Sequence, residues 1–112
     1  MKKSEITLAD FQKSDLRVGK VEEVEAVEGS TNLLRLKVNL GYDYGVVQII
    51  SGIARWYKPT QLKNKKFIFV ANLEAKKLLG NESQGMIVAA DYDHRAMLVK
   101  VDKKIPEGTI LR

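Results

Sequence analysis

From Leu34 to Leu40, within the stretch Asn32 to Leu40, apolar and polar side chains alternate without a slip: Leu34, Leu36, Val38 and Leu40 are separated by Arg35, Lys37 and Asn39. A period of two belongs to a β-strand, whose successive side chains point to opposite faces. The segment is therefore expected to be a strand with four apolar side chains turned inward and two cations, Arg35 and Lys37, turned outward. Gly41-Tyr42-Asp43-Tyr44-Gly45 reads as a turn, and Val46 to Ser51 as the returning strand.

The rest of the chain fits around this hairpin. Thr7 to Asp10 offers a cap-like start, so a short helical turn is expected before residue 14. From Leu16 to Val27 the valines favour strand, but the apolar parity slips between Val18 and Val21. Gly19 and the β-branched content predict one long strand bent by a bulge near Gly19. Ile53 to Leu62, with Pro59 inside, has room only for a short helix or an irregular turn. Phe67 to Ala71 and Met86 to Ala90 are apolar without alternation, hence strands covered on both faces, and Asn72 to Gly85 between them reads as a loop. Asp91 to His94 turns the chain into another apolar run, and Pro106-Glu107-Gly108 turns it again before Ile110 and Leu111. An all-β architecture of five or more short strands, interrupted by one helical stretch between the third and fourth, is the order of an OB-type barrel; an SH3-like or other small barrel has the same strand count, and the position of the interruption favours the OB order. At 112 residues the whole chain, 1–112, is expected to be one domain burying roughly two-thirds of its unfolded surface. Pairing with a second copy would add burial.

Composition removes most catalytic chemistry. Without cysteine there is no disulfide, thiolate nucleophile or cysteine-zinc site. The single histidine, His94, lies in a turn and cannot build a metal cluster, and no nucleophile stands at a recognisable spacing from a base. No cofactor is expected and no enzymatic activity. No apolar run approaches the ~20 residues that span a bilayer, and the first residues lack the apolar segment of a signal peptide, so a cytoplasmic protein is expected. The net charge of +5 is uneven: residues 31–66 hold seven basic side chains against Asp43 alone. Such a concentration suits a polyanionic partner, although a solvated basic face would look the same. Within it, Arg55-Trp56-Tyr57-Lys58 interleaves cations with two large rings. The rings favour packing over base stacking, since large aromatics usually bury most of their area.

The stretch Asn72-Leu73-Glu74-Ala75-Lys76-Lys77-Leu78-Leu79-Gly80-Asn81-Glu82-Ser83-Gln84-Gly85-Met86 is the most specific in the chain. Adjacent lysines, Lys76 and Lys77, suit phosphate, while Asn72, Ser83 and Gln84 suit sugar, phosphate or base edges. This stretch resembles the tRNA-binding domain family, which includes the C-terminal domain or separate β subunit of methionyl-tRNA synthetases and a free-standing tRNA-binding protein. Asp10-Phe11 with Asp15 to Val21, Ile49 to Ile53, and Tyr57 with Pro59 and Leu62 agree in the right order, so the resemblance spans about residues 10–111. It implies an OB barrel with a C-terminal extension used for dimerisation, gripping the outer corner of tRNA by shape. Carried over by position, Asn72, Lys76, Ser83 and Met86 would lie at the RNA surface; Lys77 and Gln84 belong to the same stretch, and Arg35 and Lys37 are added from the alternating strand. The implied partners are tRNA, a second copy of the chain and a methionyl-tRNA synthetase. Many relatives carry H-P-x-A-D-K-L where this chain has Glu28 to Leu33, so that loop's lysine is replaced by Asn32. A related branch of the same fold resembles a dimeric export chaperone that holds unfolded polypeptide, which is the alternative function.

Overall fold

The computed structural model describes residues 1–112, with the alternating segment at the centre of the core. β2 (Leu34–Asn39) buries Leu34, Leu36 and Val38, and Leu40 follows just beyond its end, none more than 2% exposed. It pairs antiparallel with β1 (Leu16–Ala26) on one side and β3 (Val46–Ser51) on the other. The first half of β1 also pairs with β4 (Lys66–Val70), and β4 pairs with β7 (Met86–Ile87). The residue before Gly85 closes the circuit, because the Gln84 N–H donates to the Gln48 carbonyl of β3 at 2.8 Å. These five strands make a nearly closed antiparallel barrel, as the strand count and the helical interruption predicted.

That interruption is α2 (Pro59–Leu62). It begins on Pro59, where the missing N–H has no intrahelical partner to lose, and its fully buried Leu62 joins Ile53, Phe69 and Ile87 in the core. Upstream, α1 (Leu8–Gln12) forms as expected: Thr7 accepts from the Asp10 N–H at 3.0 Å and Asp10 reaches back to the Thr7 N–H at 3.4 Å.

The bulge in β1 sits elsewhere than predicted. The register with β2 shifts between Val21 and Glu23, not at Gly19. Gly19 answers a different demand: a Cβ there would lie 2.6 Å from Phe69 Cδ1 and 2.7 Å from Val38 Cγ1. Only a hydrogen lets two core side chains press against β1 at that point. β4 is covered less evenly than its apolar run suggested, with Phe67 and Phe69 buried and Ile68 and Val70 half-buried.

Two further departures concern the second half of the chain. Asn72 to Gly85 is not a plain loop: β5 (Lys76–Leu78) and β6 (Asn81–Ser83) form a hairpin. Its turn residues Leu79 and Gly80 both have left-handed backbones, φ 50° and 78°, as a tight two-residue hairpin turn requires. The run Met86 to Ala90 is not one buried strand. It breaks at Val88: β7 stays in the barrel, while β8 (Ala89–Tyr92) leaves it to pair with β9 (Arg95–Leu98) around Asp93 and His94. His94 is the turn residue expected, with φ 59°. β10 (Ile110–Leu111) returns to the start of β1.

Candidate nucleic-acid interface

The β5–β6 hairpin is clamped to the barrel wall by its own polar residues. Ser83 Oγ accepts from the Ile50 N–H of β3 at 3.0 Å and donates to the Gly85 carbonyl at 3.1 Å. Gln84 Oε1 accepts from the Gln48 N–H at 3.1 Å, and Gln48 Nε2 donates to the Glu82 carbonyl at 2.9 Å. From β2, Arg35 Nη1 donates to Asn81 Oδ1 at 3.0 Å. Arg35 and the hairpin therefore share one rim of the barrel. Lys37, two residues along β2, extends the same outer face.

The eight residues singled out from sequence differ in what they leave free. Lys76 and Lys77 are exposed and form no ion pair. Met86, 46% exposed, stands at the foot of the hairpin. Arg35 is held at 2.7 Å by Glu25 and Lys37 at 3.2 Å by Glu23, each pair facing across the β1–β2 ladder. Exposed pairs of this kind are worth about 0.2–1 kcal/mol, so a phosphate could displace the carboxylates. Ser83 is only 6% exposed, and its hydroxyl is engaged by backbone on both sides. The Asn72 amide is likewise engaged: Nδ2 donates to the Lys13 carbonyl at 2.7 Å and Oδ1 accepts from the Asp15 N–H at 2.8 Å. It fastens the segment after α1 to the end of β4.

Sequence reading overlooked a second polar constellation. Arg17, 6% exposed, donates through Nε and Nη2 to the Asp15 carboxylate at 2.9 and 3.1 Å and through Nη2 to Asp43 at 2.8 Å. Its Nη1 reaches the Leu40 carbonyl at 3.2 Å, and its guanidinium lies 4.4 Å from the centre of the Tyr44 ring. The Tyr44 hydroxyl donates to Asp15 at 2.9 Å. The hydrogen bonds from Arg17 hold both carboxylates below the usual aspartate range, and bonds to Asp43 and then Asp15 raise Arg17 further. Burial, followed by its bond to Asp15, pushes the Tyr44 phenol up. The cluster is closed upon itself and fixes the 41–45 turn against β1. Its one sequence signal was Asp15 and Arg17 two apart on one strand face.

At the position where relatives were expected to carry a loop lysine, Asn32 Oδ1 accepts from Arg55 Nε at 2.8 Å. A cation thus reaches that loop from a distant part of the chain. Trp56 and Tyr57 pack on the core as expected, and the Tyr57 hydroxyl accepts from the Leu98 N–H at 2.9 Å.

Fold and rim together define a small antiparallel barrel whose accessible features are strand faces and a clamped hairpin rather than an enclosed cavity. Residues 16–110 match the family described as "Putative tRNA binding domain", and the chain belongs to that family. It is 48% identical over 112 residues to the methionine–tRNA ligase of Clostridium tetani, which covers 98% of this chain and 17% of that one. It is 46% identical over 107 residues to the methionine–tRNA ligase of Methanothrix thermoacetophila, covering 96% of this chain and 16% of that one. The chain thus spans about a sixth of the length of these curated relatives. Among solved structures it is similar to a MetRS related protein from Pyrococcus horikoshii, with TM-score 0.91 and 33% identity over 98% of this chain and 100% of that one. It is also similar to the CsaA chaperone protein from Picrophilus torridus, with TM-score 0.87 and 28% identity over 96% of this chain and 100% of that one.

Proposed function

We propose that this chain is a non-catalytic, cytoplasmic tRNA-binding module of the OB type that recognises the outer corner of tRNA by shape. In this reading it works as a homodimer and raises tRNA affinity for a methionyl-tRNA synthetase that it joins or assists, with no cofactor. The observation that supports the reading is the hairpin of β5 and β6, which exposes Lys76 and Lys77 without ion pairs and is bonded to Arg35 through Asn81. Lys76, Lys77, Arg35, Lys37 and Met86 supply the contacts, with Gln84 bordering them. Ser83 and Asn72 shape the surface through the backbone they hold. Binding energy alone is required, from cations against phosphate and from surface complementarity.

The test is a gel-shift titration against total tRNA with duplex DNA and unfolded polypeptide as competitors. Transfer RNA should win, and if about five phosphates are neutralised log K should fall with log salt at a slope of roughly −3.5 to −4.5. A slope near zero removes the electrostatic part of the proposal. The second reading, a polypeptide-holding chaperone, is favoured by one feature: Tyr92, Met97 and Val99 are 70%, 43% and 41% exposed around the β8–β9 hairpin. Preference for unfolded polypeptide over tRNA would select it.

A further inference from the structure

A second concentration of positive charge, in which Lys66 alone is ion-paired, lies among residues other than those of the β5–β6 rim. A cleft of about 640 Å³ is lined by Lys20 of β1, Lys65 and Lys66 at the start of β4, and Lys100 and Lys103 near the C-terminal end. Phe67 and Val101 supply its apolar lining, and no carboxylate lines it. The depression beside Arg35 and Lys37 is different, because Glu23 and Glu25 stand in it with the cations.

One wall of the cleft is fixed by backbone hydrogen bonds and the other by a lysine side chain bonded to backbone carbonyls. Asn64 takes a left-handed conformation, φ 65°, and its N–H donates to the Val21 carbonyl at 2.7 Å, while the Val21 N–H donates to the Lys65 carbonyl at 2.9 Å. This turn fixes one wall on β1. Lys66 Nζ fixes the other by donating to the carbonyls of Lys103 at 3.2 Å and Ile105 at 2.8 Å, with Glu107 at 3.8 Å. Lys20, Lys65, Lys100 and Lys103 form no ion pair. Lys20 and Lys66 are direct partners across the β1–β4 ladder. Like charges placed directly opposite destabilise a sheet, so the barrel carries a local electrostatic cost that an anion in the cleft would relieve. Lysine ammonium groups act as point charges without the planar fork that selects a single carboxylate, and several of them spread along a cleft suit a row of phosphates.

From this arrangement we infer that the cleft is a second anion site that takes consecutive phosphate groups, either a stretch of RNA backbone or a free polyphosphate chain. It rests on the tRNA reading only where RNA is the source of those phosphates. Lys65, Lys100 and Lys103 are exposed and lend no side chain to the fold, so K65Q/K100Q/K103Q should keep the wild-type melting temperature. Binding of inorganic tripolyphosphate by calorimetry and of total tRNA by gel shift would be compared in this variant, in wild type and in K76Q/K77Q. The cleft variant should weaken tRNA about tenfold or more and reduce its salt slope by about 2 to 2.7, or lose tripolyphosphate binding, or both. Loss confined to tRNA assigns the site to RNA backbone, and loss confined to tripolyphosphate assigns it to the free chain. If both ligands bind this variant as they bind wild type, or wild type binds neither, the inference is overturned. A wild-type protein that binds tripolyphosphate through the cleft and ignores tRNA would instead leave this site standing and defeat the proposed function.

Discussion

Arg17 shows how one side chain can hold two distant segments. Its carboxylate partners are Asp15, just before β1, and Asp43 of the 41–45 turn, and its guanidinium is nearly out of solvent. A carboxylate whose pKa is lower in the fold than in the unfolded chain adds stability above the unfolded value, about 3.9 for aspartate. That contribution is lost as pH falls through the folded value. Asp15 is such a group, lowered chiefly by the Arg17 hydrogen bond. D15N should therefore melt below wild type at pH 7, and thermal scans by circular dichroism should show the gap narrowing as pH falls below about 4. A constant gap across that range would mean the carboxylate charge is not what stabilises the turn. Ser83, too, holds a buried backbone group in place. S83A would leave the buried Ile50 N–H without its acceptor, costing about 1–3 kcal/mol, so a melting scan should register it even without RNA. A loss of tRNA binding in that variant would report a loosened hairpin, whereas K76Q and K77Q alter charge alone.

Among the elements, the β5–β6 hairpin depends on the residue that follows it. Gly85 has φ 147°, and a Cβ there would lie 2.9 Å from the Val70 carbonyl oxygen and 3.3 Å from Ile49 Cδ1. G85A forces the chain away from backbone as well as into a disfavoured conformation, so it should destabilise by more than about 1 kcal/mol. Hydrogen exchange should then quicken at Ile50 and Gln84, whose amides are bonded across this junction; unchanged protection would show that the hairpin is held independently of Gly85. β2 was readable from sequence because it lies against the core on one face, which imposes alternation, whereas β3, which buries the adjacent Ile49 and Ile50, was readable from the turn that precedes it. The hairpin was not: three-residue strands offer a single alternation each, and their partners are polar side chains on β3 rather than apolar neighbours. The Met86 to Ala90 run misled for the opposite reason. Its uniform apolarity hides the break at Val88, where the chain passes from the barrel to a separate two-stranded sheet. The displaced bulge follows the same logic, since the parity slip was real but Val18 is buried outside the cluster that contains Val21. Of the candidate site, the lysines and Arg35 were recognisable as charges, but their compensation by Glu23 and Glu25 depends on strand register.

For the whole molecule, the unpaired face of the β8–β9 sheet bears on the assembly. Register and alternation put Ala90, Tyr92, Arg95, Met97 and Val99 on one side of it, while Ala96 and Leu98 on the other side pack toward the core. A two-stranded ribbon is marginal on its own, and this one shows Tyr92, Met97 and Val99 to solvent. A second copy laid on that face would cover the apolar side chains and stiffen the ribbon through the same contacts. On the proposed function, two lysine-bearing rims would then act on one RNA and dimerisation would be coupled to affinity. M97D places a charge in the middle of the face without touching the barrel. By analytical ultracentrifugation wild type should sediment as two chains and M97D as one, and the tRNA salt slope of the variant should fall toward half. If wild type sediments as one chain at every concentration, the dimer is lost from the proposal. If M97D is monomeric yet binds tRNA with undiminished slope, a single rim suffices and the apolar face serves a partner other than a second copy.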